Sequence, residues 1–431
     1  MKRVLIISYY WPPAGGISII RPLKLAKYLR NSGWEPVICT AKNPHYPFED
    51  NTADLGIHKG FEIIKVPIVE PYEIYKKLTG QTENSALADV IQNTPKRSFL
   101  HTLSVWIRGN FFIPDARCLW ISPVVKKLTS YLKKYPVDAI ITTGPPHSVN
   151  RIGYLLKKKL NLPWLADFQD PWTQVDYFQH FKISSLACKR HRMMENKVFE
   201  YADLVTIVSH SWKSDLQSIG AKNVQVIPLG FDPEDFNENV KLDKYFTLTH
   251  LGLLGQDRNP LTLLNVIRDI CNKNRDFASK FRLQLVGKVN EDIKQQISDL
   301  HLSNQVIYLG QVNRDKALQL MQSSQLLLLL LNKSENVSGR IPGKFFEYFG
   351  AKRPILSLGP KGTDVDSMLI ETSLGQNIPY DNYQILYEFL IDYYNMFCSS
   401  EIKINVNKTH SYSHKEVSIK FAKHLDNIIT K

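Results

Sequence analysis

Short apolar runs alternate with longer amphipathic stretches along almost the whole chain, the pattern of βαβ units that feed parallel sheets. In the first half the predicted strands are Arg3–Ser8, Pro36–Thr40, Ile63–Val66, Ala139–Thr142, Trp164–Phe168, Leu204–Val208 and Val224–Pro228. They are short and mostly β-branched. The alternation breaks between Gly230 and Lys244, where Gly, Pro, Asp and Asn gather without periodicity, as in a linker. It resumes with predicted strands Thr247–Leu251, Arg282–Val286, Val306–Leu309, Leu326–Leu331 and Pro354–Leu358. The pattern therefore predicts an α/β protein with two doubly wound domains in tandem. The boundaries read as 1–235 for an acceptor-side domain and 236–408 for a second, nucleotide-binding domain, with 409–431 packing back on the first as a C-terminal helix.

That last helix is predicted over Ser413 to Ile429, where Val417, Phe421, Leu425 and Ile428 recur at helical spacing. Residues 70 to 120 lack the alternation. There Phe99, Leu103 and Trp106 share one helical face near Phe111 and Phe112, which predicts a helix covering the first sheet, with a lid or a membrane-contacting element as the other readings. In doubly wound sheets ligands bind beyond the carboxyl ends of the strands, and two facing sheets make a cleft, so the chemistry is expected there.

Composition narrows the function. The chain has 431 residues, 43% hydrophobic and 22% charged, which describes an ordered protein too long for one core. The apolar run after Met1-Lys2-Arg3 is too short for a signal peptide, and Leu326 to Leu331 falls far below a membrane span. Cytoplasmic placement is the expectation. Five cysteines, widely spaced and odd in number, predict reduced thiols rather than disulfides or a zinc site. The net charge of +13 is concentrated in the first 235 residues, which carry 30 basic against 21 acidic side chains. Such a surface suits a phosphorylated substrate or an anionic membrane. Nucleic acid is disfavoured, because Lys126-Lys127, Lys133-Lys134 and Lys157-Lys158-Lys159 fall within predicted helices without interleaved aromatics.

The richest stretch is Gly339 to Leu358. Pro342 suits a first helical position, and Lys344 and Glu347 share one face at that helix's N-terminal end, where unpaired N–H groups attract anions. That reads as a phosphate site with a hydroxyl-binding carboxylate beside it; the plain alternative is an i,i+3 ion pair worth about 0.2–0.5 kcal/mol. A second cation stands in the loop Gly252 to Pro260, with Asn259 as N-cap, Pro260 as first helical residue and Arg258 at the helix mouth; its plain alternative is an ion pair with Asp257. Gly15 and Gly16 follow the first strand and suit a close backbone approach to a ligand or a tight turn, but the spacing is not that of a dinucleotide fingerprint. His147 opens the helix after Thr142-Thr143-Gly144-Pro145-Pro146, placed either to meet a substrate or to finish a turn. Asp170 before Pro171 reads as an N-cap, and Asp167 with Asp170 lacks the third ligand that a metal site needs.

These segments together resemble the retaining, two-Rossmann-domain (GT-B) glycosyltransferases of family 4. The resemblance is carried by the Pro-Pro-x-Gly-Gly loop, TGPPHS, DFQDPW, YADLVTIVS, VQVIPLGFD, the Gly252 loop and GKFFEYFGAKRPIL. It implies a nucleotide-sugar donor, UDP- or GDP-linked, no other cofactor, no metal, and transfer with retention to a glycan or lipid-linked acceptor in bacterial surface polysaccharide synthesis. It also implies peripheral contact with the inner face of the cytoplasmic membrane. By the same resemblance Arg258 and Lys344 hold the donor diphosphate, Glu347 the ribose, and groups near Val312 the base. Gly15, Gly16, Gly252, Arg340 and Gly343 line the donor, and His147 and Asp170 the sugar and acceptor side. Position 339 is Gly where the family keeps a second glutamate, Gln169 replaces a usual arginine, and Leu229 replaces a usual asparagine. A same-fold epimerase or hydrolase, and a non-catalytic sugar-nucleotide-binding subunit, are the alternatives.

Overall fold

A computed structural model describes residues 1–46, 48–50, 60–70, 99–175, 183–237, 239–333, 337–402 and 408–430, with the side chains of 99–102 and 104 outside that set. The chain divides into two compact units, Met1–Pro228 with Val417–Lys431, and Leu229–Glu416.

In the first unit the strands are β1 (Lys2–Ile7), β2 (Trp34–Lys42), β3 (Glu62–Pro67), β4 (Ala139–Gly144), β5 (Trp164–Phe168), β6 (Leu204–Ile207) and β7 (Val224–Val226). They form one parallel sheet ordered β3-β2-β1-β4-β5-β6-β7. Its helices are α1 (Ile17–Leu29), α2 (Phe99–Phe111), α3 (Ile121–Lys134), α4 (Ser148–Leu160), α5 (Ser185–Tyr201) and α6 (His210–Ser218). The second unit repeats the plan with β8 (Phe246–Leu251), β9 (Phe281–Val286), β10 (Val306–Gly310), β11 (Leu326–Leu330), β12 (Ile355–Leu358) and β13 (Gly375–Ile378), parallel and ordered β10-β9-β8-β11-β12-β13. Helices α7 (Leu261–Lys273), α8 (Arg275–Lys280), α9 (Glu291–Asp299), α10 (Arg314–Ser323), α11 (Gly343–Ala351), α12 (Asp364–Thr372) and α13 (Tyr383–Cys398) complete it. The last helix, α14 (His414–Ile429), belongs to the first unit from Val417 onward.

These are two doubly wound Rossmann-like units of seven and six strands. Each chain segment winds outward from its first strand and then returns beside it, so β4 pairs with β1 and β11 with β8. Connections leave those neighbours in opposite directions, which opens a crevice at their carboxyl ends. Burial on both faces explains why the strands read so clearly. In β11, Leu326, Leu328 and Leu330 enter one core cluster while Leu327 and Leu329 enter the other, the period-2 alternation of a covered strand.

Three expectations need correction. The apolar and basic stretch after the paired glycines predicts a first helix from Arg21 to Leu29, but the helix starts at Ile17, about a turn earlier, because Gly16 supplies a cap at φ +82°. Strand β13, with polar Gln376 and Asn377 in only four residues, carries too little apolar signal to be read. Helix α2 does not turn its apolar face onto the sheet; it packs on α5 and leaves Leu103 and Trp106 exposed. Residues 71–98, part of the stretch that lacked alternation, lie outside the described residues, as does Glu238 in the predicted linker.

One polar contact organises the first unit. Arg21 of α1 grips Asp167 of β5 with two bonds, Nε to Oδ2 at 2.9 Å and Nη2 to Oδ1 at 2.7 Å, both side chains fully enclosed. Its remaining donors go to the carbonyls of Pro228 and Ile227, at 2.8 and 3.0 Å. Asp167 also accepts from Thr143 of β4 and Thr206 of β6. The guanidinium lies 4.9 Å from the ring of Phe421 in α14. Five elements thus meet on one charge pair. Arg21→Met is expected to cost about 3–5 kcal/mol, since it leaves a dry, unpaired carboxylate. Urea unfolding followed by tryptophan fluorescence checks this: adding Asp167→Leu should recover part of the loss, and a double variant no more stable than the single one would rule out charge balance as the cause.

Candidate functional site

At the second unit's switch point β8 ends at Leu251 and the chain turns through Gly252, whose φ of +118° favours glycine. The turn is tight: Gly252 N–H donates to the Val286 carbonyl at 2.7 Å, and a Cβ on Gly287 would lie 2.6 Å from the Gly252 oxygen. Lys344 reaches this point from α11, its Nζ donating to the Leu251 carbonyl at 2.6 Å. Pro342 is the N-cap of α11 and Gly343 its first residue, one place later than the sequence suggested. Pro342 offers no side-chain cap, so the first turn keeps N–H groups of the kind that bind anions.

Burial pushes the Lys344 ammonium down to about 7, helped by the Arg258 cation and opposed by Glu347. Arg258 sits on a one-turn 3-10 helix, Gln256–Arg258, with its Nη2 on Asp257 at 2.8 Å, so the neighbour ion pair is present. Asn259 is not the N-cap of α7; Pro260 holds that place, and the Asn259 amide bonds Gln256 and Gln296 instead. Lys333 adds a third cation that the sequence reading missed, lying 4.5 Å above the Tyr380 ring and donating to the Asn259 carbonyl at 3.3 Å. Three cations and an uncapped helix end make this a site for a multiply charged anion.

Glu347 is not paired with Lys344. Its Oε1 accepts from Arg314 Nη1 at 2.6 Å, and Arg314 Nη2 reaches Asp235 at 2.9 Å, so α10 holds the carboxylate. Those two acids keep Arg314 charged although burial opposes it. No sequence signal at position 314 pointed to a residue 33 places later. Val312 packs half-buried just before α10, and exposed Arg340 donates its N–H to the Val337 carbonyl at 3.1 Å.

The first unit's candidates divide. Gly15 is a packing residue: its N–H donates to Phe48 O at 2.9 Å, and a Cβ there would lie 2.3 Å from the Phe48 ring. Gly16 instead faces open space. His147 caps α4 but is buried, stacked flat on Trp172 with centroids 5.0 Å apart. Burial drives its imidazole down to about 4, with Asp115 partly offsetting, so the ring is neutral at pH 7. Asp170 is half-buried in a bend and caps none of the described helices, since α5 begins at Ser185 behind its own cap, Ser184.

Two side chains of α5 that the sequence reading missed fasten the Asp170 loop. Trp172 Nε1 donates to His191 Nδ1 at 3.0 Å, and Thr173 donates its N–H and hydroxyl to Glu195 at 3.2 and 2.5 Å. Burial raises Glu195 to about 7. Their i,i+4 spacing on the helix's buried stripe was the available signal. Among the described residues no cluster of three or more His, Cys, Asp or Glu side chains is placed to hold a metal, and Asp167 is engaged by Arg21.

Residues 22–235 match the family model described as Glycosyltransferase Family 4, and residues 231–342 match the one described as Glycosyl transferases group 1. Among solved structures the chain is similar to a sucrose-phosphate synthase from Thermosynechococcus elongatus, at 15% identity, TM-score 0.60, with all of both chains covered. It is similar also to HepE from Anabaena in complex with UDP-glucose, at 14% identity and TM-score 0.58, covering 99% of this chain and 100% of that one. A third is the lipopolysaccharide outer core galactosyltransferase WaaB, at 14% identity and TM-score 0.55, covering 99% of each. Likeness at these identities speaks for the fold. Among curated protein sequences none matches.

Lys344 gives the site a pH signature. Its ammonium is held near 7 in the native chain against 10.5 ordinarily, so between those values the unfolded chain binds the extra proton. Stability from this group therefore rises with pH across that window and is absent below it. Lys344→Met should lack the rise when chemical denaturation of both proteins is compared across the window; parallel curves would place the lysine's pKa elsewhere.

Proposed function

We propose that this chain, a glycosyltransferase of family 4 with the GT-B fold, takes a nucleotide sugar, UDP- or GDP-linked, as its donor. The observation that carries the reading is the meeting of Lys344, Arg258 and the uncapped start of α11 at the second switch point. A nucleoside diphosphate is the leaving group of sugar transfer, and its charge develops where such donors stand. Gly252 and Gly343 let the backbone approach the diphosphate, Arg340 lines the donor, and main-chain groups near Val312 meet the base. Glu347 bonds the ribose through the oxygen that Arg314 leaves. The UDP-glucose bound in the HepE structure supports this donor class.

The acceptor is a hydroxyl of a glycan or lipid-linked sugar, received by the first unit with His147 and Asp170 at the strand ends of its switch point. The hydroxyl attacks from the face the leaving group departs, which retains configuration, and a departing phosphate oxygen takes its proton. A main-chain group replaces the glutamate absent at Gly339 as the donor-sugar contact. The basic first unit supports a setting in bacterial surface polysaccharide synthesis at the inner face of the cytoplasmic membrane, and the WaaB neighbour is consistent with it. No described helix is long and apolar enough to cross a membrane.

Thermal melts in the presence of nucleoside diphosphates and nucleotide sugars test the donor directly, because a ligand of the native state raises the midpoint. At least one should do so, and the shift should vanish in Lys344→Ala. With an active donor and acceptor, Lys344→Ala and Arg258→Ala should each slow transfer by about 10²–10³-fold, the loss typical of one transition-state donor. Turnover close to wild type in either variant would remove this site from the reaction.

A further inference from the structure

The first unit carries an exposed apolar face that none of the residues assigned to sugar transfer occupies. Helices α2 and α5 pack together, and the N–H of Ser184, the N-cap of α5, donates to Asn110 Oδ1 near the end of α2 at 2.7 Å. On α2 the side chains of Leu103, Trp106, Ile107 and Phe111 are 40%, 39%, 39% and 69% exposed. Their i, i+3, i+4, i+8 spacing makes them one apolar stripe. Trp106 and Phe111 meet edge to face, 5.8 Å between centroids. On α5 the buried stripe of Ala187, His191, Glu195 and Val198 turns Leu186 and Met193 outward, 63% and 52% exposed. Lys189 and Arg190 stand between them on that outer side, with exposed Arg192 beside.

Charge on this face is mainly positive. Across α2 and α5 the basic residues are Arg108, Lys189, Arg190, Arg192 and Lys197, against Glu195, which is buried on Thr173, and Glu200, exposed one residue before the end of α5. Phe111 and Leu186 each lie within two residues of the Asn110–Ser184 bond, so the two apolar stripes meet where the helices are fastened. Contiguous aromatic and aliphatic exposure marks a docking surface, and interleaved Lys and Arg select a partner that is apolar within and anionic at its boundary. A bilayer with acidic headgroups has that profile; an apolar protein patch lacks the anionic boundary.

We propose that the α2–α5 face docks this protein on an anionic lipid bilayer. Leu103, Trp106, Ile107 and Phe111 enter the headgroup boundary, while Lys189, Arg190 and Arg192 meet lipid phosphates. This rests on the membrane-side reading of the acceptor and names the surface that performs it.

Co-sedimentation of the full chain with phosphatidylcholine vesicles, with and without phosphatidylglycerol, tests it. Binding should require the anionic lipid and weaken with salt. Lys189→Ala/Arg190→Ala/Arg192→Ala should weaken it about a hundredfold, from the contribution of each basic residue near a charged surface. Trp106→Ser/Phe111→Ser should abolish the part of the binding that survives high salt. Thermal midpoints and the donor-induced shift should be unchanged in both variants, which separates lost docking from misfolding. Equal binding to both vesicle types, undiminished binding by either variant, or self-association that disappears with the stripe would overturn the proposal. A failed donor shift beside intact vesicle binding would refute the donor reading and leave this one standing.

Discussion

A parallel strand covered on both faces can keep charged side chains only where its ends meet water, and that constraint places the chemistry of this molecule. Strand β11 has no polar residue at all, and its neighbours in the second sheet keep their cations for the loops and helix starts beyond them. Lys344 shows the consequence. It comes from α11, after the sheet has been left, and returns only far enough to meet the last carbonyl of β8. Hydrophobic burial drives the strands together, and chemistry collects at their carboxyl ends because that is where water and ligands still reach the backbone.

Asp167 is the exception that the first unit is built around. A carboxylate inside β5, one residue from its end and fully enclosed, would be prohibitive alone. Arg21 and two threonine hydroxyls answer it, and by doing so tie α1 to β4, β5 and β6 and to the carbonyls after β7. The loops that carry His147 and Asp170 leave from β4 and β5, so their starting points are fixed by this pair. Beyond it, the stacking of Trp172 on His147 and the grip of Glu195 on Thr173 hold the Asp170 loop from the other side. A substituted Arg21 therefore disturbs the loops as well as the core.

Legibility in the sequence follows the same division. Strand β5 was read to the residue, because Pro163 and polar Gln169 bound its five core positions. Lys344 and Arg258 were read as cations at helix mouths and do stand together, since Pro and Gly mark helix starts in sequence, although both starts fall one residue later than the local signals said. What failed was long-range. Glu347 looked like a partner for Lys344 because helical spacing puts them side by side, but Arg314 approaches from another helix and takes the carboxylate. Gly15 looked like a ligand contact and is a seat for Phe48, from a segment 33 residues on. Helix α2 looked like a cover because amphipathic stripes in soluble proteins are normally buried, and periodicity alone does not say which side meets water.

Under the donor reading, the charge on Lys344 is decided jointly by the fold and the ligand. Burial and Arg258 both push its proton off, and the Glu347 charge opposes them. Yet Glu347 is already shared with Arg314, which reduces what its charge can do for the lysine. Gly339 is buried five residues before Lys344, and a glutamate there would have added a second negative charge to this short segment. Without it, burial and Arg258 hold the lysine down to about 7. An arriving diphosphate supplies the missing negative charge, so that binding and protonation reinforce each other. The leaving group then departs from a cation that its own charge has stabilised, which makes anion recognition and transition-state stabilisation two aspects of one contact.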